Sequence, residues 1–280
     1  MSVVIISHVS CWDGTAAAWV AERYCQEHQL EFKTYYAQYN EPSPIEMDDI
    51  KGKDVYILDF SFSADYLNEL ASVANKVVVL DHHKSAKANL ENATACECHF
   101  DLNRSGARLA WDYFYPNETV PEIIDRIEDR DLWIWSFPNN ENFMTGMLLF
   151  PKTVNTIEER FVNNDYFDIA LTGQSYREIL NKQAEAIVNA GFYTEVKGHR
   201  VLMAQYVPLW YSEVGNIAAE RSDTQKACIY RIMSDRTVIL NFRSINNVDV
   251  SEIAEALGGG GHRMAAGAKV TIDYFQSLLP

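Results

Sequence analysis

Three short apolar runs in the first hundred residues each end in side chains that bind hard metal ions. Val3-Val4-Ile5-Ile6 leads to Ser7-His8 and then Asp13, Val55-Tyr56-Ile57-Leu58 leads to Asp59, and Val77-Val78-Val79-Leu80 leads to Asp81-His82-His83. Short β-branched runs of this kind predict buried strands. In open α/β sheets ligands bind beyond the carboxyl ends of the strands. A mixed carboxylate and imidazole set (His8, Asp13, Asp59, Asp81, His82, His83 and Asp129) suits Mn²⁺, Mg²⁺ or Fe²⁺ better than structural zinc. One carboxylate shared between two cations holds them about 3.5–4 Å apart, a spacing that clamps the attacking and leaving oxygens of a phosphoester. Asp59, alone on its run, is the natural bridge, and His83 is the candidate imidazole that donates a proton to the phosphate or the leaving oxygen. Aspartates at strand ends also cap helices and form turns, but that reading leaves His82-His83 unexplained.

A second motif, Gly258-Gly259-Gly260-Gly261-His262-Arg263-Met264-Ala265-Ala266-Gly267, follows a predicted helix. A helix C-cap needs one glycine, not four. Gly259, Gly260 and Gly261 could let backbone approach a ligand and form an anion nest, with His262 and Arg263 as a donor and a fork for phosphate. The Gly-Lys-Ser/Thr of a P-loop is absent.

The elements that must carry these motifs alternate from residue 1 to about 135. Strands are predicted at 3–7, 32–36, 54–59 and 76–80, with an Ala-rich helix over 14–28, a helix start at Ser63, one over 105–114 and one near Pro121. The pattern implies a parallel sheet with helices on both faces. A long helix over 171–191 could link this part to a second one, with strands at 200–205, 227–233 and 237–242 and a helix from Val250 to Leu257. The expected organisation is a domain over 1–165, a linker helix over 166–194 and a smaller α/β domain over 195–280.

The chain has 280 residues, 48% hydrophobic, with a formal net charge of −15. That acidity argues against gripping a long nucleic acid, which is met by a basic face, while a local pocket for a short phosphorylated ligand stays open. No apolar stretch approaches the roughly 20 residues that span a bilayer, so no membrane partner is expected. Cys11, Cys25, Cys96, Cys98 and Cys228 are odd in number and scattered, and no secretory signal is visible. Reduced thiols in the cytoplasm follow as the expectation. Cys96-Glu97-Cys98 lacks the second Cys/His pair of a structural zinc site. The aromatic residues Trp19, Trp111 and Trp133 fit core positions, whereas Tyr206, Trp210 and Tyr211 could stack on bases.

Asp81-His82-His83, followed far downstream by Gly259-Gly260-Gly261-His262 and Ala265-Ala266-Gly267, resembles the DHH phosphoesterase superfamily in its branch with a C-terminal DHHA1 domain. The resemblance implies an α/β fold, with a parallel-sheet DHH domain and a smaller DHHA1 domain. It implies two divalent cations, Mn²⁺ foremost, with His8, Asp13, Asp59, His82 and Asp129 as ligands and Asp59 as the bridge. His83 and Asp81 would belong to the catalytic centre, and His262, Arg263 and Arg243 would grip the nucleotide end of the substrate. Arg104 and Ser105, at a helix start, could instead meet phosphate. The implied activity is a metal-dependent phosphodiesterase on short oligoribonucleotides or linear dinucleotides. The alternatives are a phosphomonoesterase or phosphoanhydride hydrolase, and a non-catalytic nucleotide sensor. A homodimer is left open.

The chain departs from the family pattern in its first motif, where two aspartates two apart often follow the histidine. Ser7-His8-Val9-Ser10-Cys11-Trp12-Asp13-Gly14-Thr15 supplies only one, with Cys11 or Thr15 in the other place. Cys11 is either a soft ligand or a packed small hydrophobe. Asp101 rivals Asp129 for the last ligand position.

Overall fold

The computed structural model describes residues 2–8, 11–39, 41–208 and 210–280. They form two compact units, one running to Gln174 and a second from Ser175 to Pro280.

The first unit begins with β1 (Ser2–His8), α1 (Trp12–Glu27), β2 (Glu31–Ala37), α2 (Met47–Ile50), β3 (Asp54–Leu58), α3 (Ala64–Val73) and β4 (Lys76–Asp81). After a 3₁₀ turn come α4 (Lys87–Asn92), β5 (Glu97–Phe100), α5 (Gly106–Phe114), α6 (Glu122–Asp131), α7 (Asn140–Met147) and α8 (Val154–Asn163). The strands pair in the order β2-β1-β3-β4-β5, all parallel. Successive residues of each central strand enter different cores. Val3, Ile5, Leu58, Val78 and Leu80 pack with α1, α5 and α6. Val4, Ile6, Val55, Ile57, Val77 and Val79 pack with Leu67, Leu70 and Leu90 of α3 and α4. Burial on both faces is why these strands read as unbroken apolar runs.

The strand order reverses between β1 and β3, since the chain winds outward to β2 and then returns to β3 on the other side. Such a switch point leaves a crevice at the carboxyl ends of the two strands. The register aligns Ser7 with Leu58 and Leu58 with Leu80, so His8, Asp59 and Asp81 emerge side by side there.

The unit boundary falls inside α9 (Tyr166–Asn189). The second unit holds β6 (Phe192–Val196), β7 (His199–Gln205), α10 (Tyr211–Arg221), β8 (Lys226–Ile232), β9 (Thr237–Ser244), α11 (Ser251–Glu255), β10 (Gly260–His262), β11 (Ala265–Thr271) and α12 (Ile272–Gln276). Its mixed sheet runs β10-β11-β9-β8-β7-β6. Val201, Met203, Cys228, Leu240 and Phe242 face α11 and α12, and β9 alternates buried and half-buried residues along its length.

The fold is thus α/β, as expected, but the glycine tract departs from the expected open nest. Gly258 N–H and Gly259 N–H donate to the carbonyls of Glu255 and Ala254 at the end of α11. Gly260, Gly261 and His262 form an edge strand opposite Gly267, Ala266 and Ala265. A Cβ on Gly259 would fall 2.0 Å from Gly267 O, and Gly261 has φ +140° with Ala265 O 2.7 Å from its virtual Cβ. Close strand pairing therefore accounts for the glycines at 259 and 261. No helix among the described residues is long and apolar enough to cross a membrane.

Candidate metal centre

Asp59 lies at the middle of the site. It follows β3 with φ 53°, a left-handed conformation tolerated by Asp and uncommon elsewhere. Its N–H donates to Leu80 O at 2.9 Å, which ties the turn to β4. Strained backbone at a strand tip is a recurrent feature of functional sites. Its carboxylate meets two separate sets of ligands. His8, Asp59 and His83 offer atoms within 4.8 Å of one another, and so do Asp13, Asp59 and His82.

In the first set His8 Nδ1 is 3.4 Å from Asp59 Oδ2, and Cys11 Sγ is 3.3 Å from the same oxygen. In the second, His82 Nε2 is 3.1 Å from Asp59 Oδ1 and 3.5 Å from Asp13 Oδ2. Asp131 Oδ2 also stands 3.5 Å from His82 Nε2. Asp13 is buried in the first turn of α1 and accepts from Gly106 N at 2.6 Å and Ala107 N at 2.9 Å. These are unpaired amides of the α5 N-terminus, whose partial positive charge favours a carboxylate.

Two glycines make this convergence possible. A Cβ on Gly106 would lie 2.4 Å from Asp59 Cβ, and one on Gly14 would lie 2.3 Å from His8 O. Helices α5 and α1 therefore reach the strand tips only because these positions carry no side chain.

The charges in the crevice are unbalanced. Burial and then the neighbouring Asp59 and Asp131 push the Asp13 carboxyl well above the usual range. Burial raises the Asp131 carboxyl, the His82 charge working against it and the Asp59 charge with it. Burial also pushes Asp59 up, but hydrogen bonds from His8 and His82 and the charge of His83 hold it well below that range. Burial disfavours charged His82, yet the Asp59 hydrogen bond and the charges of Asp131, Asp59 and Asp13 push it up to about 10. Three carboxylates converging on one imidazole leave a surplus of negative charge that divalent cations would neutralise. The oxygen and imidazole donor set fits Mn²⁺, Mg²⁺ or Fe²⁺.

Asp81, expected in the catalytic centre, does different work. It is fully buried, and its Oδ1 accepts from His82 N at 2.7 Å, His83 N at 3.1 Å and His83 Nδ1 at 2.7 Å. Tyr39 OH reaches its other oxygen at 3.4 Å. Asp81 thus fixes the turn and the imidazole of His83 and acts as a positioning residue. Burial opposes charge on His83, but the Asp81 charge and hydrogen bond raise its pKa. The Tyr39 ring lies against both His8 and His83, and the Phe60 ring stacks on His8.

The structure corrects the expectation for Asp129. Its Oδ1 accepts from Ser136 N, Ser136 Oγ and Phe137 N, and its Oδ2 from Asn140 Nδ2. Both oxygens are spent on closing the loop after α6. Asp131, two residues on, is the carboxylate at the cluster. A signal for it existed. Ile124 and Ile127 are buried core residues of α6, and Asp131 continues that face at i+7 and i+4.

Ser105 is likewise not available to phosphate. It is buried and caps α5 by accepting from Arg108 N. Arg104 pairs with Asp112 and Glu128, each at 3.7 Å. Asp101 serves a turn, accepting from Asn103 N at 2.8 Å. In the second unit Arg243 donates to Ser212 Oγ at 3.2 Å. Arg263 is half exposed and is held by Asn247 O and Asp249 Oδ2. His262 ends β10 beside it.

Residues 209–279 match the family model of the DHHA1 domain. Across nearly the whole chain the protein is 28% identical to protein R106 of Acanthamoeba polyphaga mimivirus, over 94% of this chain and 66% of that one. It is 24% identical to oligoribonuclease NrnB of Bacillus subtilis (strain 168), over 75% of this chain and 57% of NrnB. The chain therefore spans about two thirds or less of the length of these relatives. The crystal structure of exonuclease RecJ bound to manganese superposes with a TM-score of 0.58 at 11% identity, covering 99% of this chain and 87% of that one, which is a likeness of fold. Residues 209–279 are thus similar to DHHA1 domains, and the chain shares the fold of RecJ.

Proposed function

We propose that this protein is a metal-dependent phosphodiesterase that hydrolyses short oligoribonucleotides, including linear dinucleotides such as pGpG, to nucleoside monophosphates. The observation that carries the reading is Asp59, shared between two groups of metal-binding side chains at the switch point of a parallel sheet. His8 and Asp59 would hold one cation, and Asp13, Asp59, His82 and Asp131 the other. Two such cations would supply Lewis acidity at phosphorus and would acidify water. The chain's own residues do the rest. The α5 amides orient Asp13, Asp81 orients His83, and charged His83 donates a proton to a phosphate oxygen or to the leaving oxygen. Manganese as the native ion, a short substrate and a cytoplasmic setting belong to this reading. It is supported by the likeness to a protein named as an oligoribonuclease and by the net charge of −15, which disfavours long polyanions.

The test is hydrolysis of labelled dinucleotides and of a long single-stranded RNA by purified protein with Mn²⁺. Preferential release of nucleoside monophosphates from the dinucleotide is expected, with no turnover by Asp59→Asn. Equal digestion of the long strand defeats the length claim. Phosphate release from nucleoside bisphosphates or pyrophosphate with intact dinucleotide moves the reading to a monoesterase or phosphoanhydride hydrolase. Ligand-induced stabilisation without any turnover identifies a sensor.

A further inference from the structure

Cys11 caps α1, accepting from Gly14 N–H at 3.2 Å. Thiols are not among the favoured cap groups, which are Ser, Thr, Asp and Asn. Beyond the cap, the thiol donates to Asp59 Oδ2 and lies against His8 Nδ1. Cys11 Sγ is 3.4 Å from His8 Nδ1 and 3.3 Å from Asp59 Oδ2, and those two atoms are 3.4 Å from each other. Three donors of different chemistry thus stand at the corners of a nearly equilateral triangle. Atoms bound about 2.0–2.3 Å from one ion lie roughly 3.0–3.6 Å apart at tetrahedral to octahedral angles. The triangle has the edge lengths of one face of a coordination shell.

We propose that Cys11 is a thiolate ligand of the cation held by His8 and Asp59, and that it tilts this position from Mn²⁺ and Mg²⁺ toward Zn²⁺, Co²⁺ or Fe²⁺. On binding, the S–H bond breaks, sulfur keeps the electron pair and donates it to the ion, and the proton passes to solvent. No redox change is involved. Thiolate selects borderline and soft ions where a carboxylate selects hard ones. In the metal-free protein, burial and the charges of Asp59 and Asp13 hold the Cys11 thiol well above its usual range, against the Gly14 N–H, so the sulfur is a thiol until an ion displaces its proton. The inference rests on the metal-centre part of the proposed function, revises its manganese assignment at this one position, and is independent of the substrate.

The experiment loads the full chain with Co²⁺, measures uptake by equilibrium dialysis, and records the near-ultraviolet thiolate-to-cobalt charge-transfer absorption. Cys11→Ser and Cys11→Asp are compared with wild type. Both replacements are good cap residues, so far-ultraviolet circular dichroism should be unchanged. Cys25, Cys96, Cys98 and Cys228 remain in all three proteins and serve as the internal control. The charge-transfer band should appear in wild type and vanish in both variants while cobalt uptake persists. Cys11→Asp should also raise the affinity for Mn²⁺ relative to Zn²⁺ by on the order of tenfold, the scale of changes around a metal's ligands. A band that survives in Cys11→Ser, or a wild type that takes up cobalt without a band, overturns the assignment and leaves the proposed function standing. A wild type that takes up no cobalt defeats both.

Discussion

Gly106→Ala sets two effects of opposite sign against each other. Position 106 opens α5, and alanine is the better helix former by about 0.8–1 kcal/mol. If Gly106 were only a helix residue, the substitution would stabilise. The structure predicts the reverse, because the new Cβ would lie 2.4 Å from Asp59 Cβ and 2.8 Å from Asp59 Cα and Cγ. Ordinary carbon contacts are about 3.5–4.0 Å, so the helix start must retreat by roughly 1 Å. Overpacking of this kind costs about 1–3 kcal/mol. The retreat also stretches the bonds from Gly106 N and Ala107 N to the buried Asp13 carboxylate, now 2.6 and 2.9 Å. A hydrogen bond to a charged group contributes about 1.5–3 kcal/mol. Loss of one, less the propensity gain, leaves a net destabilisation of about 2–4 kcal/mol, or a fall in Tm on the order of 10 °C. The assay is scanning calorimetry in chelator, followed by metal titration of the folded variant, where affinity should fall as well. A Gly106→Ala protein with a Tm equal to or above wild type refutes the claim that α5 is seated against Asp59.

Asp131→Ala should weaken metal binding with little change in Tm, whereas Asp129→Ala, which strips four hydrogen bonds from the loop after α6, should lower stability by about 2–4 kcal/mol; the opposite pattern in calorimetry and metal titration would restore Asp129 as the ligand. Asp81→Asn should keep metal uptake but reduce kcat on dinucleotide while sparing KM, since the amide oxygen can still accept from His82 N and His83 N while the charge that holds the His83 ring is lost. Metal affinity should climb with pH from about 6 to 8, by up to tenfold per unit for each proton displaced, because His82 holds its proton up to about 10 and a cation must remove it. The sign for stability is opposite. In metal-free protein the contribution of charged His82 is complete below about 6.5 and is lost as pH rises through about 10, which a pH series of Tm in chelator reads out.

The parallel sheet was legible in the sequence because β1, β3 and β4 are buried on both faces, so their residues had to be apolar without alternation. The strand tips were legible for the same reason, since an abrupt change from valine and isoleucine to Asp or His marks where burial ends. Asp131 was not. Asp129 and Asp131 are chemically alike, and only the folding of 132–140 back onto α6 commits Asp129 to Ser136, Phe137 and Asn140. Ser105 and Gly106 were equally opaque. Their roles depend on where α5 ends up in space relative to Asp59 and Asp13, residues far from it in the sequence. The glycine tract misled because strand pairing and ligand approach both require the absence of a Cβ.

Titration calorimetry of Mn²⁺ into wild type and Asp59→Asn tests the shared carboxylate most directly. The account predicts that wild type takes up two cations and that the variant, keeping its fold, loses high-affinity binding of both, while Asp13→Asn retains the one at His8. An Asp59→Asn protein that still binds both cations with wild-type affinity would contradict it.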